Sequence, residues 1–191
     1  MHERIKEIFL RNGFKSYIEW ADVCCCVLKA KELTKQTFQK VINERPLMKG
    51  AVETFEVLRE SNVTTAVVTG SFEELALRAK KELGIHHVMA HCRLIFDEAG
   101  YLKDWKIFAT DWKDKLKFVK YLADVNKISL QECAYVGDDV NDVPVFKKVG
   151  LAIAFNCNKR VVMENAHVVI KEKDLRKILP YLGLPLSKSK R

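Results

Sequence analysis

Three carboxylates within five residues, Asp138, Asp139 and Asp142, follow a glycine that closes the apolar run Ala134 to Val136. That order reads as the end of a buried strand, a sharp turn at Gly137, and a helix start over Asp138 to Asn141. Close carboxylates repel, so they need a shared proton or a cation, and hard oxygen ligands in a partly hydrated site suit Mg2+. Asp138 and Asp142, four apart across the helix start, can converge on one point. A second cluster, Thr69-Gly70-Ser71, ends the β-branched run Thr64 to Thr69. The Thr69 hydroxyl and the amides after it, near a helix N-terminus, suit a phosphate. A lysine from the start of a helix would balance the remaining charge, and Lys113 and Lys115 are both placed for it. Cation, phosphate clamp and lysine together point to phosphoryl chemistry. Singly, each is a cap, a turn or a solvated lysine; their order on successive strand ends favours a site.

Repeated strand and helix patterns must supply those ends. Residues 2 to 45 read as helical throughout, with breaks at Asn12-Gly13 and Lys31 to Thr34 and a capped helix after Thr34. From Pro46 helices at Lys49 to Glu60, Glu73 to Leu83, Lys113 to Val125 and Val143 to Lys148 alternate with strands. The strands are Thr64 to Thr69, Val88 to Met89, Arg93 to Phe96, Ala134 to Val136, Leu151 to Phe155 and Val168 to Ile170, with a turn at Asp97 to Gly100. The fold class is therefore α/β, a parallel sheet with helices on both faces. In such sheets the connections after the strands open at one edge, where ligands bind.

Composition narrows the function. The chain of 191 residues, 48% hydrophobic and 30% charged, reads as a globular protein with one sizeable core. No run approaches the roughly 20 apolar residues of a membrane span, and the charged stretch Met1 to Arg11 does not resemble a signal peptide; the expected location is cytoplasmic. Six cysteines, three of them adjacent at Cys24 to Cys26, lack the separated pairs of a metal knuckle and read as free thiols. The charge of +8 is spread over helices and interleaved with Glu, except for the basic end Ser187 to Arg191, read as disordered. The expected partner is a small phosphorylated molecule, not a membrane or a nucleic acid.

Val67-Val68-Thr69-Gly70-Ser71-Phe72, Lys115 and Val136-Gly137-Asp138-Asp139-Val140-Asn141-Asp142 resemble the second, third and fourth motifs of the haloacid dehalogenase (HAD) superfamily of phosphatases. The run Arg45 to Leu83, the turn Asp97 to Gly100 and the stretch Val136 to Lys171 are closest to its phosphoserine phosphatase branch. The resemblance implies a Rossmann-type core over residues 46–183, a helical cap over 1–45 and a basic tail over 184–191. It implies that Asp138 binds Mg2+ directly, Asp142 holds metal-bound water and Asn141 orients the site. Thr69, Gly70 and Ser71 would bind the phosphoryl group, with Lys115 as the motif lysine and Lys113 as the fallback.

One departure outweighs the matches. Members of this family begin with a strand ending in D-x-D-x-T, whose first Asp is the nucleophile, and no D-x-D occurs in this sequence. The first core strand is absent with it, so this polypeptide is expected to be inactive, or nearly so, as a phosphatase. Survival of Lys115 and Asn141 is read as a chain shortened at its N-terminus. The missing strand belongs between the strands at Thr64 to Thr69 and Cys133 to Val136. Those two are expected to pair directly, or the slot to be filled by another chain, with a homodimer by exchange as one route. Cysteines stand where the branch carries a substrate-binding arginine, which makes phosphoserine no more favoured than another small phosphomonoester. A non-catalytic phosphate- or metal-binding regulatory protein is the alternative function, and a nucleic-acid binder ranks third.

Overall fold

In the computed structural model, residues 17–107 and 114–186 are described. Lys113, the first helical break and the basic end lie outside them. Two compact units divide the chain. The first comprises the described parts of Met1–Arg45, Thr69–Ala76 and Ala90–Asp111; the second comprises Pro46–Val68, Leu77–Met89 and the described part of Trp112–Arg191.

Two helices open the first unit, α1 (Tyr17–Ala30) and α2 (Lys35–Glu44). Thr34 caps α2, its side chain accepting the Thr37 N–H at 3.2 Å, and the helix buries Phe38 and Ile42. These pack with Cys25 of α1 and with Cys92, Leu94 and Leu102. The last three come from a hairpin. β2 (His87–Phe96) pairs antiparallel with β3 (Leu102–Ile107), Cys92 opposite Ile107 and Leu94 opposite Trp105. The Trp105 indole N–H donates to Asp22 of α1 at 2.8 Å. Sequence reading expected two short strands at 88–89 and 93–96 and none after the turn. The structure joins the first two and adds β3, which escapes pattern reading because Lys103, Asp104 and Lys106 interrupt its apolar residues.

β1 (Ala66–Phe72) runs on through Thr69-Gly70-Ser71, which sequence reading took as the end of the strand, and passes directly into α4 (Glu73–Leu83). The sheet order is β1-β2-β3.

In the second unit α3 (Ala51–Glu60) starts at Gly50, whose φ of +77° favours glycine. A Cβ there would lie 2.3 Å from Asp174 Oδ1. Asp174 in turn caps the 3-10 helix Leu175–Leu182 and ion-pairs with Arg176 at 2.5 Å and Lys49 at 3.7 Å. A second, parallel sheet has the order β4-β5-β6, from Ala134–Gly137, Leu151–Phe155 and Val168–Ile170. β5 is its most buried strand, with Ala152, Ile153 and Ala154 fully shielded. On one face lie α5 (Asp114–Val125) and α6 (Val143–Phe146), contributing Val119, Val143, Val145 and Phe146; Ile178 closes on Ile153 and Ile170 from a separate cluster. α7 (Arg160–Met163) adds Val162.

The expectation of direct pairing between the strand at 64–69 and that at 133–136 is corrected. β1 and β4 belong to different sheets, each an edge strand, and among the described residues no other strand lies between them in either hydrogen-bonded order. Each is held by its own packing. Val67 sits against Ala51, Leu83 and Ile85, Val68 and Tyr135 against the cluster around Phe146, and Val136 against Ile153 and Ile170. Pairing the two would pull these side chains out of close-packed clusters, a loss of several kcal/mol on the order of one large-to-small core substitution per residue.

Candidate functional site

The acidic turn is built around Asp142, which is 2% exposed. A short 3-10 turn, Val140–Asp142, precedes α6, where sequence reading expected a single helix from Val143 to Lys148. Asp139 caps that turn, accepting the Val140 N–H at 2.5 Å. The chain then folds Asp142 back onto the end of β4. Its Oδ2 accepts the N–H groups of Asp138 at 2.9 Å and Asp139 at 3.0 Å. Its Oδ1 accepts Lys115 Nζ at 2.6 Å and the Tyr135 hydroxyl at 2.9 Å. Four donors therefore take up the four acceptor directions of one carboxylate.

Gly137 makes this fold-back feasible. A Cβ at this position would lie 2.5 Å from Asp142 Cγ and Oδ2, so only glycine leaves the carboxylate its place.

Lys115, on the first turn of α5, is 8% exposed and also donates to Asn141 Oδ1 at 3.3 Å. Burial of an ammonium is tolerated here because its counter-charge is hydrogen-bonded on all sides. The hydroxyl of Tyr135 is held well above the ordinary phenol range, first by burial and then by the Asp142 charge, so it stays protonated and donates to Asp142.

Asp138 differs from its neighbours. It is exposed, and among the described residues no hydrogen bond engages its carboxylate oxygens. Partial desolvation pushes its carboxyl above the ordinary range, Asp142 and Asp139 push the same way, and Lys115 and Lys159 offset part of the rise. An accessible carboxylate beside two others, with no donor among the described residues, fits a hard cation. Asp142 differs in that its oxygens are already taken by protein donors. Among the described residues no group of three or more His, Cys, Asp or Glu side chains is gathered for a metal.

Lys159 was not singled out from the sequence. It follows β5, and its Nζ lies 2.5 Å from Asp139 Oδ1 with both side chains partly exposed. Its signal was positional: it lies in the connection after a third strand end, where the open-edge rule looks for site residues. Tyr135 was read only as strand filler, since alternation does not tell a hydroxyl donor from an apolar ring.

Thr69, Gly70 and Ser71 belong to the first unit, and Lys115, Asp138, Asn141 and Asp142 to the second. Thr69 Oγ1 accepts the Ser71 N–H at 3.1 Å, so one of the amides expected to face a phosphate is engaged locally. Hydrogen bonds link Lys115 to Asn141 and Asp142, and the Asp138 amide to Asp142.

A parallel sheet with an acidic turn at one strand end and a buried lysine from a flanking helix defines a class, and comparison gives it a family. The haloacid dehalogenase-like hydrolase profile matches residues 8–150, and the chain belongs to that family. It is 33% identical over 152 residues to a phosphoserine phosphatase of Methanocaldococcus jannaschii, covering 80% of this chain and 71% of that protein. A phosphoserine phosphatase of Streptococcus thermophilus is 33% identical over 157 residues, 82% of this chain and 72% of its own. Among solved structures, a phospho-aspartyl intermediate analogue of phosphoserine phosphatase superposes with a TM-score of 0.81 at 31% identity, over 94% of this chain and 85% of that one. The chain is therefore a HAD-like hydrolase similar to phosphoserine phosphatases. No helix among the described residues is long and apolar enough to cross a membrane.

Proposed function

We propose that this chain carries the lysine and acidic-turn half of a Mg2+-dependent phosphomonoester hydrolase, and that as given it turns over substrate negligibly because the acidic turn leaves no carboxylate for a nucleophile once a cation is bound. The observation that supports this is the division of labour within the turn. Asp142 is saturated by four donors, Asp139 is committed to Val140 and Lys159, and among the described residues Asp138 is the member of the turn whose carboxylate oxygens have no donor. One available carboxylate can serve a cation or attack phosphorus, but not both. One structural relative is a phospho-aspartyl intermediate analogue of phosphoserine phosphatase, which fits an aspartate nucleophile in that protein; the D-x-D pair that the resemblance calls for is missing from this sequence.

In this reading Asp138 would hold Mg2+ and Asp142 would reach it through water, and the bound cation would supply charge neutralisation for a phosphoryl group. Lys115 carries the positive charge that faces the same group, kept in place by Asn141 and Asp142. Thr69, Gly70 and Ser71 are proposed as the phosphate clamp. The substrate class is a small phosphomonoester, and phosphoserine, which names the relatives, is one candidate among several.

Turnover of p-nitrophenyl phosphate with Mg2+ tests the reading. The expected result is none above background, while calorimetric titration still detects Mg2+ binding that Asp138→Ala removes. Steady turnover abolished by Asp138→Ala would overturn the inactivity, and absence of Mg2+ binding would overturn the cation site. Binding without turnover would also suit a regulatory role for the chain.

A further inference from the structure

Outside the acidic turn, the first unit holds a group of thiols that phosphoryl chemistry does not use. α1 carries three consecutive cysteines, and successive residues on a helix point about 100° apart, so they meet different surroundings: Cys24 is partly exposed, Cys25 buried and Cys26 exposed. Cys25, 1% exposed, meets Cys92 of β2, 5% exposed, with the two sulfurs 3.8 Å apart. Phe38, Ile42, Leu94 and Leu102 enclose the pair. The contact joins residues 67 positions apart in the chain.

We propose that Cys25 and Cys92 are a reversible oxidation site, at which a hydroperoxide converts the thiol pair into a disulfide joining α1 to β2. A disulfide needs sulfurs about 2.05 Å apart, so closure asks for a movement on the order of 2 Å from the observed contact, within reach of side-chain rotation and a small helix shift. The two sulfurs share one contact in which either can be the hydrogen-bond donor, so either can react first. One sulfur attacks the outer oxygen of the hydroperoxide, the O–O bond breaks, and the alcohol or water leaves with the thiol proton, giving a sulfenic acid at that cysteine. The other sulfur then attacks it, the S–O bond breaks, and hydroxide leaves as water with the second thiol's proton. The two electrons lost by the thiols are those that reduce the peroxide. Cys26, exposed but not in contact with Cys92, is outside the reaction.

The test uses the full chain, hydrogen peroxide as the probe, and a non-reducing tryptic map. The expected product is the peptide 16–29 linked to the peptide 82–93, lighter than the sum of the two by two hydrogens, with fragmentation placing the link at Cys25 and Cys92 and dithiothreitol releasing both. Cys26→Ser should leave the link intact and Cys92→Ser should abolish it. The oxidised chain should also unfold at a higher temperature than the reduced one, because the link closes a long loop. The proposal is overturned if Cys25 and Cys92 remain open to alkylation in the unfolded chain after peroxide treatment, or if the link is carried by Cys24 or Cys26 instead. Because the wild-type map alone decides between these results, a Cys92→Ser variant that fails to fold does not weaken the test.

Discussion

Lys115 Nζ and Asp142 Oδ1 lie 2.6 Å apart with both side chains almost wholly shielded from water. An ion pair in that setting is held by the cost of leaving either member alone more than by its own attraction. Lys115→Met leaves Asp142 with the Tyr135 hydroxyl and two amides as its remaining donors. The expected loss is about 3 kcal/mol of unfolding free energy, read from urea midpoints at unchanged slope.

Gly137→Ala places a methyl group where Asp142 Cγ and Oδ2 stand 2.5 Å away. The carboxylate must leave the end of β4, and the Asp138 and Asp139 amides lose their acceptor. Overpacking of this kind costs about 1–3 kcal/mol. In the pair Gly137→Ala with Asp142→Ala the contacts with Cγ and Oδ2 are gone and only the residue 142 Cβ at 2.8 Å remains, so urea denaturation of the four-member cycle should show the two changes costing less together than the sum of each alone.

Asp138→Asn separates folding from cation binding. The folded state raises the Asp138 carboxyl through partial desolvation and the neighbouring carboxylates, so its ionised form lowers stability at neutral pH. Without Mg2+ the Asn variant should be at least as stable as the parent. Saturating Mg2+ should reverse that order, since a ligand at a hundred times its dissociation constant adds about 2.7 kcal/mol. Thermal melts with and without Mg2+ read the crossing, and a variant that gains as much from Mg2+ as the parent would remove Asp138 from the cation site.

Asp174 governs the acid limb. Arg176 chiefly, with its own backbone bond and Lys49, holds the Asp174 carboxyl far below the ordinary carboxylate range. A depressed folded value means stability that is present above the unfolded pKa and lost as pH falls toward the folded one. Asp174→Asn should therefore be less stable at neutral pH and should lose less than the parent on acidification below the ordinary carboxylate range. Gly50→Ala should act through the same contact, because its Cβ would lie 2.3 Å from Asp174 Oδ1 at a φ of +77°.

What the sequence made legible follows the strength of local signals. α4, β5 and β6 fall at the expected residues because Gly84 stops the first and the other two are unbroken apolar runs. The open-edge rule pointed to the acidic turn and to Lys113 or Lys115, while the choice of Lys115 and the role of Asn141 came from the family resemblance; the structure puts Lys115 Nζ within hydrogen-bond reach of both Asn141 and Asp142. β3 was not, because an exposed hairpin strand with charges at Lys103, Asp104 and Lys106 has no apolar face of its own to read. The helix expected over Val143 to Lys148 starts where it was read and ends at Phe146, but the 3-10 turn before it was not legible because its cause is tertiary: Asp142 bonds backward to the amides of Asp138 and Asp139. The bond from Tyr135 and the pairing of Lys159 with Asp139 depend on partners that no sequence window contains.

Ala66–Val68 of β1 and all of β4 lie in the second unit, each with one flank outside any hydrogen-bonded ladder among the described residues. Open flanks of this kind invite another strand. Along those two flanks the second unit therefore presents backbone donors and acceptors that an added strand could take up.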